Sequence, residues 1–146
     1  MVGGFGNTPN IVSVTDTPKA PFILSGEQNA IIIQAKILST TVDSGNTGQT
    51  NVLRSGLTMA QYTSGDNINK WGAYNDGGSN GMATAQGFLW ASVNMQNSQG
   101  TAQDTWALIV IGGGCLIEED QVIGLDANGK TDLAYRFLWS TTFENS

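Results

Sequence analysis

Histidine is absent from this 146-residue chain, cysteine occurs once, and lysine and arginine together number six. Without histidine there is no Ser-His-Asp triad, no Cys-His pair and no imidazole metal ligand. The lone Cys115 excludes an intramolecular disulfide and a cysteine-rich zinc site. Six basic residues scattered along the chain make no patch for nucleic acid. Apolar runs are too short to cross a bilayer, and no basic stretch followed by an apolar one opens the chain. The expectation is a soluble protein made inside the cell, with no membrane and no nucleic-acid partner. Charge is scarce at 12% of residues, against roughly 25% in an ordinary soluble domain. Twelve acidic residues leave a net charge of -6.

Asn, Gln, Ser and Thr take the place of the missing charge, and glycine is abundant at 19 residues. A neutral polar, glycine-rich composition suits strands and loops better than helices. The length fits one domain. A chain of this size buries roughly 70% of the surface its unfolded form exposes, which is enough for a real core.

Proline appears only at Pro9, Pro18 and Pro21. With Gly3, Gly4 and Gly6 it favours extended, non-helical backbone over residues 1–26. This segment reads as an extended arm, and the body as residues 27–146. A partly disordered terminus is the plain alternative. Phe5, Ile11, Val12, Val14, Phe22, Ile23 and Leu24 are many apolar side chains for a solvated tail, so they ask for a partner surface.

In the body, Ala30–Leu38 has strand spacing, with Ile33, Ala35 and Ile37 on one face and Gln34 and Lys36 on the other. Residues 40–50 are a polar loop. Val52–Tyr62 reads as a strand with a bulge or turn at Gly56. Residues 64–81 read as a glycine-rich loop anchored by Trp71 and Tyr74. Gly87–Met95 and Thr105–Ile111 read as strands, the latter the strongest buried candidate. Gly112-Gly113-Gly114 is a tight bend before Cys115–Ile117. Asp126–Gly129 is a turn signal. Leu133–Phe143 reads as a last strand, with spacing that also fits a short helix over 132–135. Many short strands joined by Gly/Asn loops predict a mainly β protein. The expected body is a small barrel or sandwich with little helix.

The candidate chemical motifs are thin. The glycine triplet lacks the Lys and Ser/Thr of a phosphate loop. Glu118, Glu119 and Asp120 alternate faces on a strand and do not converge on an ion; a solvated turn is the better reading. Asp126 and Asn128 open like a calcium loop, but Gly129 is misplaced and no glutamate closes it. Nothing pairs two of the twelve carboxylates for glycoside hydrolysis. Cys115 reads as a buried structural thiol. Trp106 reads as core, Trp90 and Trp139 as core or interface, and Trp71 as loop-exposed. These readings predict no enzyme, no metal and no cofactor.

The central residues run Val52-Leu53-Arg54-Ser55-Gly56-Leu57-Thr58-Met59-Ala60. Lys70 to Gly78 then carries Trp71, Tyr74 and an Asp/Gly loop. Ala83 to Trp90 and Asp104 to Val110 follow. In order and spacing this resembles the lambda-type bacteriophage head decoration, or capsid-stabilising, proteins. The likeness covers roughly residues 51–111, with a weaker echo over 126–143. The longer loop at 45–49 and the Trp-rich C-terminal part depart from the compact family pattern.

The resemblance implies a β-rich body that forms a homotrimer at three-fold and quasi-three-fold sites of an expanded head. It implies the major capsid protein as partner, and a place on the outer surface of a virion assembled in the host cytoplasm. It implies an N-terminal arm that orders on the shell, which here points to Phe5, Pro9, Ile11, Val12 and Val14. Arg54, Gly56, Tyr74 and Gly87 match the family pattern as structural residues, Gly56 for backbone geometry and Arg54 for a charge partner. Two other classes stay open. One is an adhesive or carbohydrate-binding β-module using Trp71 and Tyr74. The other is an enzyme working with carboxylates alone.

Overall fold

The computed structural model describes residues 20–143, and Phe143 by its backbone alone. Ten strands and two short helices are described, in the order β1 Ile23–Ser25, β2 Ile31–Ile37, β3 Val52–Leu53, β4 Thr58–Gln61 and β5 Trp71–Ala73. Then come β6 Gly87–Leu89, β7 Val93–Asn94, β8 Thr105–Gly112, β9 Cys115–Ile117, α1 Ala127–Asp132, β10 Phe137–Trp139 and α2 Ser140–Phe143. Single 3-10 turns occupy Glu27–Asn29 and Glu119–Gln121. The protein is mainly β, as its composition predicts.

Five strands close into a barrel in the order β2-β5-β4-β6-β8, with β8 returning to β2. The long β2–β8 pair is antiparallel, running from Ile37 opposite Thr105 to Ile31 opposite Gly112. Closure needs one parallel contact, Ile37 opposite Trp71, reinforced by Leu38 N–H donating to the Trp71 carbonyl at 2.9 Å. Outside the barrel, β9 sits between β10 (parallel) and β1 (antiparallel) in a small sheet. β3 and β7 pair by themselves.

Strand alternation divides the apolar residues into two clusters. Ile37, Met59, Trp71, Leu89 and Ile109 supply one residue from each barrel strand to a first cluster, which fills the barrel with Leu53, Leu57 and Met95. Their neighbours Phe88 and Val110 point outward into a second cluster. There the small sheet covers the barrel wall through Phe22, Ile23, Cys115, Ile117, Phe137 and Trp139. The ring pairs Phe22–Phe88, Phe88–Phe137 and Phe137–Trp139 have centroids 5.6, 5.3 and 6.3 Å apart, all tilted. That is favourable aromatic geometry.

Four sequence expectations are corrected here. Residues 20–26 belong to the body: Ala20, Phe22 and Ile23 are buried, and β1 pairs with β9. Phe22 and Ile23 find their partner surface within the chain, while Leu24 stays partly exposed. The glycine-rich stretch 64–81 contains β5, a barrel strand, so Trp71 is buried rather than loop-exposed. Asp126–Gly129 starts α1: the Asp126 side chain caps the helix by accepting from Gly129 N–H at 2.8 Å. The last apolar segment is split, with β10 giving way to the single turn of α2.

Candidate interaction surfaces

The five arm residues singled out in the sequence, Phe5, Pro9, Ile11, Val12 and Val14, lie outside the described residues. The four motif residues are described, and each has a structural task. Arg54 finds its partner in Asp43, a carboxylate only 1% exposed. Asp43 accepts from Arg54 Nε at 2.7 Å, from Nη2 at 2.9 Å and from the Arg54 backbone N–H at 3.2 Å. The arginine hydrogen bonds outweigh burial and hold the Asp43 carboxyl below its usual range. This fork stiffens the loop 40–50 against the start of the barrel.

Gly56 has φ +92°, and a Cβ there would lie 2.8 Å from the Gln121 carbonyl. A side chain is excluded on both counts. Gly87 opens β6 beside its antiparallel partner β8, and a Cβ would lie 2.4 Å from the Val110 carbonyl. The backbones approach closely there because no side chain intervenes. Tyr74 fastens the barrel to α1: its hydroxyl donates to Asp126 Oδ1 at 2.8 Å, with Asp76 Oδ1 at 3.3 Å. Burial, then the hydrogen bond to the Asp126 carboxylate, pushes the Tyr74 phenol well above its ordinary range.

The acidic run at 118–120 is tied into the fold. Glu119 accepts from Lys130 Nζ at 2.9 Å, and the Ser140 hydroxyl donates to Glu118 Oε1 at 3.1 Å. Burial raises the Glu119 carboxyl, but hydrogen bonds from Lys130 and Thr141 outweigh it and leave it low. Among the described residues no group of three or more His, Cys, Asp or Glu side chains would hold a metal ion. Cys115 is fully buried, and burial pushes its thiol up, which opposes thiolate chemistry. Among the described residues no helix is long and apolar enough to cross a membrane.

Two surfaces have the composition of a binding site. The first is the outer face of β2 and β8. The small sheet covers this face at Val110, but beyond it Ile32 is 38%, Leu108 44% and Trp106 57% exposed. The sequence expectation that Trp106 is core is therefore overturned. TWALIVI is apolar on both of its faces, and only the inner one meets the barrel interior. Lys36 stands opposite Trp106, with its ammonium 5.5 Å from the ring centroid. An exposed tryptophan beside Leu108, with Ile32 further along and Gln34 opposite Leu108, is the mixed apolar and polar composition of a protein contact.

The second surface is an open cleft of about 410 Å³ beside β5. Loop residues Thr40, Thr41 and Ser44 form one wall, and Tyr62, Tyr74 and Asn75 the other. Gly72 is its floor: a Cβ there would touch Thr41 Oγ1 and the Tyr62 ring, each at 3.4 Å. Sequence reasoning reaches Tyr74 but misses this cleft, because its walls come from three separated segments.

No family model, no curated protein and no solved structure matches this chain.

Proposed function

We propose that this protein is a structural binding protein, and specifically a decoration protein of an expanded phage head. The observation that carries the proposal is the Trp106–Leu108–Ile32 face. Its one charged neighbour among the paired residues, Lys36, is already engaged with Trp106. That face packs against further copies of the chain in a trimer. The order and spacing of residues 51–111 support the same reading, through their resemblance to the lambda-type decoration proteins.

The mechanism is thermodynamic. A clamp that binds only the expanded lattice of major capsid protein stabilises that lattice against internal DNA pressure by linkage. Three arms on one trimer raise the effective concentration of each contact, so weak single contacts sum to a durable one. An extended arm adds main-chain hydrogen bonds to a shell edge. The low charge of the surface suits permanent contact more than electrostatic capture.

The test is sedimentation of the purified protein with and without expanded empty heads. The expected result is a trimer of 15.4 kDa subunits that co-sediments with heads. Trp106→Ser should yield a folded monomer. A chain lacking residues 1–15 should stay trimeric but leave heads bare. Full occupancy by the truncated chain sinks the arm's role. A wild-type protein that is monomeric and ignores heads overturns the proposal.

A further inference from the structure

We propose that the cleft beside β5 is a binding site for a neutral saccharide. Its volume lies in the range of small-ligand sites, roughly 300–1,000 Å³. The residues that line it carry no charge. The polar groups it presents are hydroxyls and one carboxamide, which match the donors and acceptors of a sugar ring and give no basis for selecting an ion.

A second observation points to a ligand. Thr41 is only 8% exposed, yet among the described residues its hydroxyl has no hydrogen-bond partner. That hydroxyl faces the cleft floor at Gly72. A hydroxyl turned to the cleft and engaged by no described protein group is free to bond a ligand hydroxyl. The Tyr62 hydroxyl is likewise unpartnered among the described residues. Tyr74 also lines the cleft, with its hydroxyl held by Asp126. Two tyrosines set among hydroxyls suit a pyranose ring, which has apolar faces and a polar rim.

The walls are also held in place before any ligand arrives. Asp43 lies between Thr41 and Ser44, and its fork with Arg54 fixes the loop that carries them. A preformed wall reduces the ordering cost of binding. The site does not depend on Trp71, whose ring is buried. It is also independent of the shell-binding reading, since it involves neither Trp106 nor the arm.

The experiment is an amide-shift NMR titration of the full chain with maltose, cellobiose, lactose and N,N′-diacetylchitobiose. Sialyllactose serves as a charged control. Amylose, cellulose and chitin pull-downs run in parallel. At least one neutral sugar should shift amides of residues 40–44, 62 and 72–75 at millimolar concentration. Binding of the soluble disaccharide identifies a free sugar as sufficient. Retention on a polymer alone, lost in the same variants, identifies a polysaccharide surface as the source.

Gly72→Val, whose side chain fills the floor, and Tyr62→Ala should each weaken binding at least tenfold. Trp106→Ser should leave it unchanged. Tyr62→Ala keeps the test decisive if Gly72→Val misfolds. The proposal is overturned by any of three results: no neutral sugar or polymer binds, the shifts map elsewhere, or Tyr62→Ala binds like the wild type.

Discussion

The two cores of this protein differ in what fills them. Inside the barrel the packing is aliphatic and thioether: Ile37, Leu53, Leu57, Met59, Leu89, Met95 and Ile109, with Trp71 as the one aromatic in that buried cluster. Between barrel and small sheet the packing centres on Phe22, Phe88, Phe137 and Trp139. Geometry accounts for the difference. Five strands enclose a narrow space, which branched and flexible side chains fill well. Two facing β layers stand about 10 Å apart, a gap suited to flat rings. Leu89 and Phe88 are adjacent on β6 yet serve different cores. The lesson is that one strand only three residues long couples two packing problems.

The strongest way to break this arrangement is Phe88→Ala. It removes the ring that touches both Phe22 and Phe137. The expected loss is about 4 kcal/mol, in the range for large aromatic truncations. Chemical denaturation should read it as a lower midpoint with an unchanged slope. A loss under about 1 kcal/mol would mean that the small sheet merely decorates a self-sufficient barrel.

Next in size is Asp43→Ala, at the barrel's mouth. It strips the partly exposed Arg54 of its partner and frees the loop 40–50, and should lower the urea midpoint by less than Phe88→Ala does, since the arginine left behind is solvated. The same group carries a pH signature. Its folded pKa is depressed, so its contribution is complete above the unfolded value of about 3.9 and is lost as pH falls through the lower folded value. Wild type should therefore destabilise on acidification more steeply than Asp43→Asn, measured by urea titration across the acid range. Equal slopes would show that the fork is solvent-screened.

The smallest effect concerns Cys115 in the aromatic core. Ellman's reagent should label the native thiol no faster than the whole protein unfolds, because β6 ties the two cores into one cooperative unit. Labelling well ahead of global unfolding would show that the small sheet opens alone.

The fold class is readable in the chain where an element is long enough to show a period. Ile31–Ile37 alternates, and its inner face is the one the spacing marks. β5 is not readable, because three residues set among glycines have no period. Its place comes from pairing with β2 and β4. α1 contains Asn128 and Gly129, poor helix formers. Tertiary contact decides there, since a Cβ at Gly129 would press on the Tyr74 ring at 3.2 Å. The exposure of Trp106 is hidden for a different reason: an all-apolar strand does not say which face a neighbour will cover. The bend at the glycine triplet is readable and real. A Cβ at Gly113 would lie 2.2 Å from the Asn29 carbonyl, and φ there is +110°.

The central position of β9 in the small sheet has a consequence for synthesis. β1 leaves the ribosome early, and its partner strand, with Ile117 opposite Ile23, is made much later. At about 5–20 residues per second, the wait is on the order of ten seconds. Throughout that interval Ile23 lacks the strand it pairs with, and Phe22 gains only the Phe88 ring of β6. A nascent chain of this protein therefore stays sticky at β1 until translation has passed the glycine bend.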